Sequence, residues 1–297
     1  MRRRHFLSAA AALGAAGFSQ AAGNAPKFKL RYGPHPGMFK NSAGDDILDQ
    51  IQFAADQGFT GWEDNGAMNR DPALQTRIGD ALAKNGMTMG VFVSLADFKT
   101  TDFVTKSDPA FRAEIRKVME KAVDSAKRLR SKWTTVVPSS VNNRLDPHYQ
   151  TANCIENLKH LAGVCEPSGL VMVLEPLNWY ANHPGLFLRS VPQGYMICKA
   201  VGSPSCKVLD DLYHQQIDVG NLIPNLEKAW DEIAYIQVGD NPGRKEPTTG
   251  EINYRSIFAW LHQKGYDGVV GMEHGNSKPG KEGEMAVIAA YRECDRF

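Results

Sequence analysis

The sequence predicts a single (β/α)8 barrel, and three observations carry that prediction. Short apolar runs alternate eight times with segments of helical period from residue 28 to the C-terminus. Runs such as VMVL at Val171–Leu174, YIQV at Tyr235–Val238 and GVVGM at Gly268–Met272 are continuously apolar, as strands buried on both faces require. Acids and amides gather at the C-terminal ends of these runs, the end where barrels of this kind carry their sites. A doubly wound open sheet shows a similar alternation, but it usually carries a Gly-rich turn after its first strand, and none is present here.

The elements follow in order. Phe28–Tyr32 reads as the first strand, and Asp45–Gln57 as a helix with Ile47, Ile51 and Ala54 on one face, stopped by Gly58. Thr60–Glu63 is the second strand, Leu74–Lys84 a helix ended by Asn85-Gly86, and Thr88–Leu95 the third strand. Pro109–Leu129 is a long helix and Thr134–Val137 the fourth strand. His148–Cys165 is helical, with Pro167 and Gly169 beyond its end, and Leu170–Leu174 is the fifth strand. A helix at Ser190–Val201, a sixth strand at Lys207–Leu212 and a helix at Asn221–Trp230 follow. The seventh strand is Ile233–Val238, its helix Tyr254–Lys264, the eighth strand Gly268–Met272, and the last helix Glu284–Asp295. No linker and no second domain interrupts residues 26–297.

Composition is that of an ordinary globular chain: 297 residues, 42% hydrophobic and 23% charged, enough to bury one large core. Net charge is +1 with no long basic run, which gives no electrostatic footprint for nucleic acid. Residues 1–25 read as a cleavable signal. Basic Met1–Arg4 precedes an apolar stretch from Phe6 to Phe18, and Arg3-Arg4-His5-Phe6-Leu7 resembles a twin-arginine export motif. That stretch is shorter than the roughly 20 residues a membrane span needs, so no stable anchor is expected. Removing Arg2, Arg3 and Arg4 takes the charge from +1 to −2. The expected partner of the leader is the twin-arginine machinery, and the expected location is periplasmic or extracellular, reached folded. The five cysteines show no paired spacing and are expected as buried free thiols.

At the strand ends stand Glu63, Asp64 and Asn65 on the second, Glu175 and Asn178 on the fifth, and Asp210, Asp211 and His214 on the sixth. Gln237 and Asp240 stand on the seventh, and Glu273 and His274 on the eighth. Carboxylates converging on one cavity repel unless a cation joins them, and an oxygen donor set suits Mg²⁺ or Mn²⁺. Gln237 lies inside an apolar strand, where an unpaired amide is costly, so it needs a partner or a ligand. Only one of Asp210 and Asp211 can face inward, because strand residues alternate. The long loop after the seventh strand carries Asp240, Asn241, Arg244, Glu246 and Glu251, groups suited to a small polar ligand. In it Arg244 is placed to clamp a carboxylate, and Glu251 to brace the loop. Trp62 and Trp179 are candidate walls of the site.

Four segments together resemble the hydroxypyruvate isomerase family, within the xylose-isomerase-like TIM barrel group. They are Leu174-Glu175-Pro176-Leu177-Asn178, Asp211-Leu212-Tyr213-His214, the run IQVGDNPGR…EP.TGEINY, and Gly271-Met272-Glu273. The resemblance implies that Glu175, Asp211, Gln237 and Glu273 hold the metal, and the D-x-Y-H pattern selects Asp211 as the inward acid. It implies that His214 contacts substrate oxygens and that Glu175 and Glu273 pass a proton through an enediolate. Many relatives in the wider group have His at the Gln237 position; Gln there suits a hard oxygen site. The implied reaction interconverts hydroxypyruvate and tartronate semialdehyde. The leader and the segment HPGLFLRSVPQG, with His183 and Arg189, depart from a cytosolic enzyme of this kind and keep a free sugar or keto-sugar substrate open. The competing classes are keto-sugar epimerase, a non-catalytic periplasmic sugar-binding barrel, and a zinc endonuclease, which would need more histidines and a basic face. Association into homo-oligomers is implied by the family as well.

Overall fold

The computed structural model describes residues 25–297, so the signal expected at residues 1–25 lies almost wholly outside the described residues. The first half comprises β1 (Arg31–Gly33), α1 (Lys40–Ala43), α2 (Ile47–Asp56), β2 (Gly61–Trp62), α3 (Pro72–Lys84), β3 (Thr88–Met89), β4 (Phe92–Ala96), α4 (Asp102–Thr105), α5 (Pro109–Leu129) and β5 (Trp133–Val137). The second half comprises α6 (Pro147–Cys165), β6 (Val171–Leu174), α7 (Val191–Val201), β7 (Cys206–Asp211), α8 (Leu212–Asp218), α9 (Leu222–Ala229), β8 (Ile233–Gln237), α10 (Tyr254–Gln263), β9 (Val269–Gly271) and α11 (Gly280–Cys294).

Seven strands pair in parallel in the order β1-β9-β8-β7-β6-β5-β4, and β2 pairs with β3. The short pair closes the ring. Glu63 N donates to Pro34 O at 3.0 Å, Gly90 N to Trp62 O at 2.6 Å and Val93 N to Asn65 O at 3.2 Å. The third predicted strand is thus present in two pieces, broken at Gly90-Val91. A Cβ at Gly90 would stand 2.1 Å from the Tyr235 hydroxyl, so the backbone is pressed against that ring and leaves the regular ladder.

The first strand lies further along the chain than the apolar run predicted. Phe28 and Leu30 are buried but unpaired in the sheet; they join an aromatic cluster outside the barrel. In it Tyr32 packs on Phe258 of α10 and Tyr291 of α11, both at 4.9 Å between centroids, and donates to Asp295 Oδ1 at 2.9 Å. Each such fully buried ring contributes roughly 1.5–3 kcal/mol, so Phe28 and Leu30 are held by packing, while Tyr32 both packs and pairs in β1.

Helix starts are set by a repeated local signal. Asp71-Pro72, Asp108-Pro109 and Asp146-Pro147 each place an aspartate at the N-cap and a proline in the first turn. The cap carboxylates accept from Ala73 N at 2.8 Å, Ala110 N at 3.0 Å and His148 N at 2.8 Å. Three short helices, α1, α4 and α8, escape a reading by periodicity because four to seven residues hold too few turns to show a face. α11 starts earlier than its apolar pattern, since Gly280–Gly283 is a polar first turn.

The barrel interior has two levels. Val91, Val173, Leu209, Tyr235 and Val269 form a separate apolar cluster, with Trp133, Val171 and Ala234 packed on it. Two residues further along the same strands, on the same side by the period of two, come Glu175, Asp211, Gln237 and Gly271. Asp211 is in register with Gln237, and Gln237 with Gly271. The apolar level seals the floor and the polar level opens at the C-terminal strand ends. The five cysteines are free and buried, as the spacing predicts. Among the described residues no helix is long and apolar enough to cross a membrane.

Candidate active site

A cavity of about 270 Å³ opens at the C-terminal end of the barrel, lined by Asn65, Val93, Ala96, Phe98, Val137, Glu175, Leu177, His183, His214, Arg244 and Glu273. Glu175, Asp211 and His214 bring ligand atoms within 4.8 Å of one another, and all three are buried. Asp210 is buried on the opposite side of its strand, away from this cluster, so the inward acid is Asp211 as alternation requires.

Arg244 ties the acids together. One Nη2 atom donates to Asp211 Oδ2 at 2.9 Å and to Glu273 Oε2 at 2.8 Å, and its Nε donates to Glu273 O at 3.2 Å. Its guanidinium lies 4.9 Å from the Tyr213 ring centre. The residue holds a left-handed backbone, φ 50°, a costly conformation that the surrounding loop imposes. That loop is folded around Asp240, which accepts from Asn241 N, Gly250 N and Ile252 N at 2.9, 2.8 and 3.1 Å. Glu246 accepts from Ser277, and Glu251 from Asn241 Nδ2 at 2.7 Å. Of the polar groups expected to face a ligand, these acids instead build the loop, and Arg244 alone reaches the cavity.

Histidine 214 is fixed in one tautomer. Asn178 Oδ1 accepts from Ala181 N at 2.9 Å, so its Nδ2 must face outward, donating to Asn182 Oδ1 at 2.9 Å and to His214 Nδ1 at 2.6 Å. Nδ1 is therefore an acceptor and the proton of the neutral ring sits on Nε2. That Nε2 faces Asp211 Oδ2 at 3.4 Å and has no full hydrogen bond. Burial, partly offset by Asp211, brings the His214 pKa down to about 4, which keeps the ring neutral.

Glu63, whose role the sequence leaves blank, lies 1% exposed beneath the cluster. It accepts from Tyr235 Oη at 2.8 Å and from Gln237 Nε2 at 2.9 Å. Gln237 Oε1 is buried and without a partner. Burial, and then the neighbouring Glu273, push Glu63 well above the ordinary carboxyl range. Burial, then Glu273 and Asp211, do the same for Glu175. Glu273 rises to about 7, through burial and against the pull of Arg244. Three carboxyls, Asp211, Glu273 and Glu175, surround one guanidinium, a set that fits one additional divalent cation. The oxygen donors of Glu175, Asp211, Glu273 and the orphaned Gln237 Oε1 suit a hard ion. His214 is a poor ligand in this arrangement, because Nδ1 is engaged and Nε2 carries hydrogen.

The mouth was not legible beforehand. Phe98, 49% exposed after β4, stacks on His183 at 5.4 Å, and His183 stands 5.4 Å from the His214 ring. Asn65 Nδ2 donates to Glu273 Oε1 at 3.0 Å. Trp62 belongs to the packed core, and Trp179 lines a different cavity of about 380 Å³ with Arg189, which pairs with Asp218 at 2.7 Å.

The family model described as "Xylose isomerase-like TIM barrel" matches residues 51–294 of this chain. The chain belongs to that family. It is 31% identical over 230 residues to the 2-oxo-tetronate isomerase of Cupriavidus necator, covering 77% of this chain and 86% of that protein. It is 34% identical over 171 residues to the putative hydroxypyruvate isomerase of Homo sapiens, covering 56% of this chain and 62% of that one. A solved structure titled AP endonuclease, family 2, from Brucella melitensis is 27% identical with a TM-score of 0.72, over 88% of this chain and 99% of that chain. Both curated relatives named here are isomerases, and the chain spans 62% of the length of the human one.

Proposed function

We propose that this xylose isomerase-like barrel uses a divalent metal, Mg²⁺ or Mn²⁺, and moves a proton between adjacent carbons of a small hydroxy-carbonyl acid. The observation that carries the reading is one small cavity holding Glu175 and Glu273 from strands three places apart in the ring, with His214 and Arg244 between them. Glu175, Asp211, Gln237 and Glu273 would hold the metal. When bound, it supplies Lewis-acid polarisation of the carbonyl and offsets the carboxylate charge.

The side chains perform the rest. One of Glu175 and Glu273, ionised, takes the proton from the hydroxyl-bearing carbon, and the C–H electron pair becomes the double bond of an enediolate. The other, protonated, delivers a proton to the former carbonyl carbon, while the hydroxyl proton passes between the two oxygens. Burial raises both carboxyls, the direction that general acid–base work near neutral pH requires. The Nε2–H of His214 donates to a substrate oxygen, Arg244 takes the carboxylate, and Phe98, Leu177 and Val137 keep water out. Hydroxypyruvate and tartronate semialdehyde fit this scheme, as does a 2-oxo-tetronate. Of the seven histidines outside the leader, His183 and His214 line the cavity, which gives no basis for a multi-zinc nuclease centre. The twin-arginine-like leader adds to the proposal that the folded enzyme is exported.

Proton exchange in D₂O tests the reading, with metal-stripped and metal-loaded protein and a panel of hydroxypyruvate, 2-oxo-tetronate and keto-sugars. Metal-dependent exchange beside a carbonyl, lost in Glu175→Gln and Glu273→Gln, is the expected result. Binding of a panel member with no exchange under any metal would replace the isomerase with a ligand-binding barrel.

A further inference from the structure

We infer that Glu63 is a positioning residue that turns the Gln237 amide so that its oxygen, and not its nitrogen, faces the metal site. The inference rests on the metal reading above and names a residue outside the expected ligand set. A side-chain amide in an apolar strand has two orientations that differ little in shape and fully in chemistry, since only the oxygen can ligate a cation. Glu63 Oε1 accepts from Gln237 Nε2 at 2.9 Å, and Glu63 Oε2 is held by the Tyr235 hydroxyl at 2.8 Å. With its nitrogen committed to the carboxylate, Gln237 must present Oε1 on its other side, and that atom is buried and unpartnered.

The fold makes room for this carboxyl at a specific cost. Gly271, in register with Gln237, occupies the inward position of β9. A Cβ there would stand 1.8 Å from Glu63 Oε2 and 3.1 Å from Gln237 Cγ. Gly90 does the same for the Tyr235 hydroxyl, 2.1 Å from where its Cβ would be. Two missing side chains and one tyrosine thus frame a buried acid that does not line the cavity. Such a group has no structural need to be charged or polar; a leucine of similar volume would seal the floor with less desolvation. Its polar bond to Gln237 is what distinguishes it from packing.

The experiment measures Mn²⁺ binding to metal-stripped protein by electron paramagnetic resonance titration, beside thermal melting, for wild type, E63L, E63Q and G271A. Outer hydrogen-bond partners of metal ligands typically set affinity by 10–100-fold. E63L is expected to lose about that much affinity while melting as a folded protein. E63Q, which keeps an acceptor for Gln237 Nε2, should stay within about threefold of wild type. G271A displaces the carboxyl without removing it and should lose affinity in the same direction, which keeps the test valid should E63L not fold. Equal Mn²⁺ affinity in wild type, E63L and G271A overturns the role of Glu63 while leaving the metal site standing. Wild type that binds no Mn²⁺ overturns the metal reading and this inference with it.

Discussion

Replacing Asn178 tests the site without touching an acid. The residue makes three side-chain hydrogen bonds, a buried one to His214 Nδ1 and part-buried ones to Ala181 N and Asn182 Oδ1. At about 1 kcal/mol each, Asn178→Ala costs roughly 3 kcal/mol. In a domain of this size that is a fall in Tm on the order of 6–12 °C. Asn178→Asp keeps the shape and reverses the chemistry. A carboxylate oxygen 2.6 Å from Nδ1, where the amide nitrogen now stands, draws the ring proton onto Nδ1. Nε2 then loses its hydrogen, or the ring becomes imidazolium. Nitrogen-15 NMR of histidine-labelled protein reads this directly: Nδ1 unprotonated in the wild type, protonated in N178D. Losing an oriented donor at the substrate oxygen costs about 10² in kcat, so N178D should be slow even where its melting is near normal. A wild-type His214 with its proton on Nδ1, or a tautomer unmoved in N178D, would refute the chain of reasoning from Ala181 through Asn178 to the ring.

Further expectations concern the ion pairs, the close approaches and the caps. Arg244→Met leaves Asp211 and Glu273 uncompensated; the side chain is 27% exposed, so the metal-free protein should lose about 2–3 kcal/mol, below the 3–5 of a fully buried pair. Metal at 100 times its Kd should return about 2.7 kcal/mol of that in a melting experiment. Gly79→Ala, normally helpful inside a helix, should destabilise α3 by a few kcal/mol, because its Cβ would lie 2.3 Å from Arg128 O. Asp108→Ala should cost about 1 kcal/mol, seen as a Tm lower by about 2–4 °C.

The barrel was legible because eight apolar runs needed burial on both faces and the Gly-rich turn of a doubly wound sheet was missing. Its boundaries were less so at β1 and β3, where packing decided: Phe28 and Leu30 prefer the aromatic cluster to the ladder, and Gly90 yields to Tyr235. In the site, the acids that end strands announced themselves, since Glu175, Asp211 and Glu273 follow runs with no other use for charge. Arg244 was found because the loop is long, although the other loop acids proved to be internal supports. Glu63 was visible as a strand-end acid, but its bond to Gln237 depends on Gly271 being bare, a relation across 208 residues that no local pattern carries. Phe98 and His183 meet only when two loops fold toward each other, so neither was legible as half of a stacked pair.

The three Asp-Pro caps carry a consequence for how such a protein can be altered. Each follows a stretch of chain that leaves the C-terminal end of the barrel, two of them running from β2 to α3 and from β5 to α6. A helix that begins at its own aspartate takes its starting point from two adjacent residues and not from the length of the chain before them. The exposed positions of those stretches are therefore the replaceable ones, since Ala67, Met68 and Ser139 are buried. Exposed side chains there can be exchanged while Gln75 and Gln150 keep their bonds to the backbone of the two stretches. A library that varies Gly66, Asn69, Asn143 and Arg144, and leaves Ala67, Met68, Ser139 and both Asp-Pro pairs untouched, would change the outer surface of these stretches while the helices start as before.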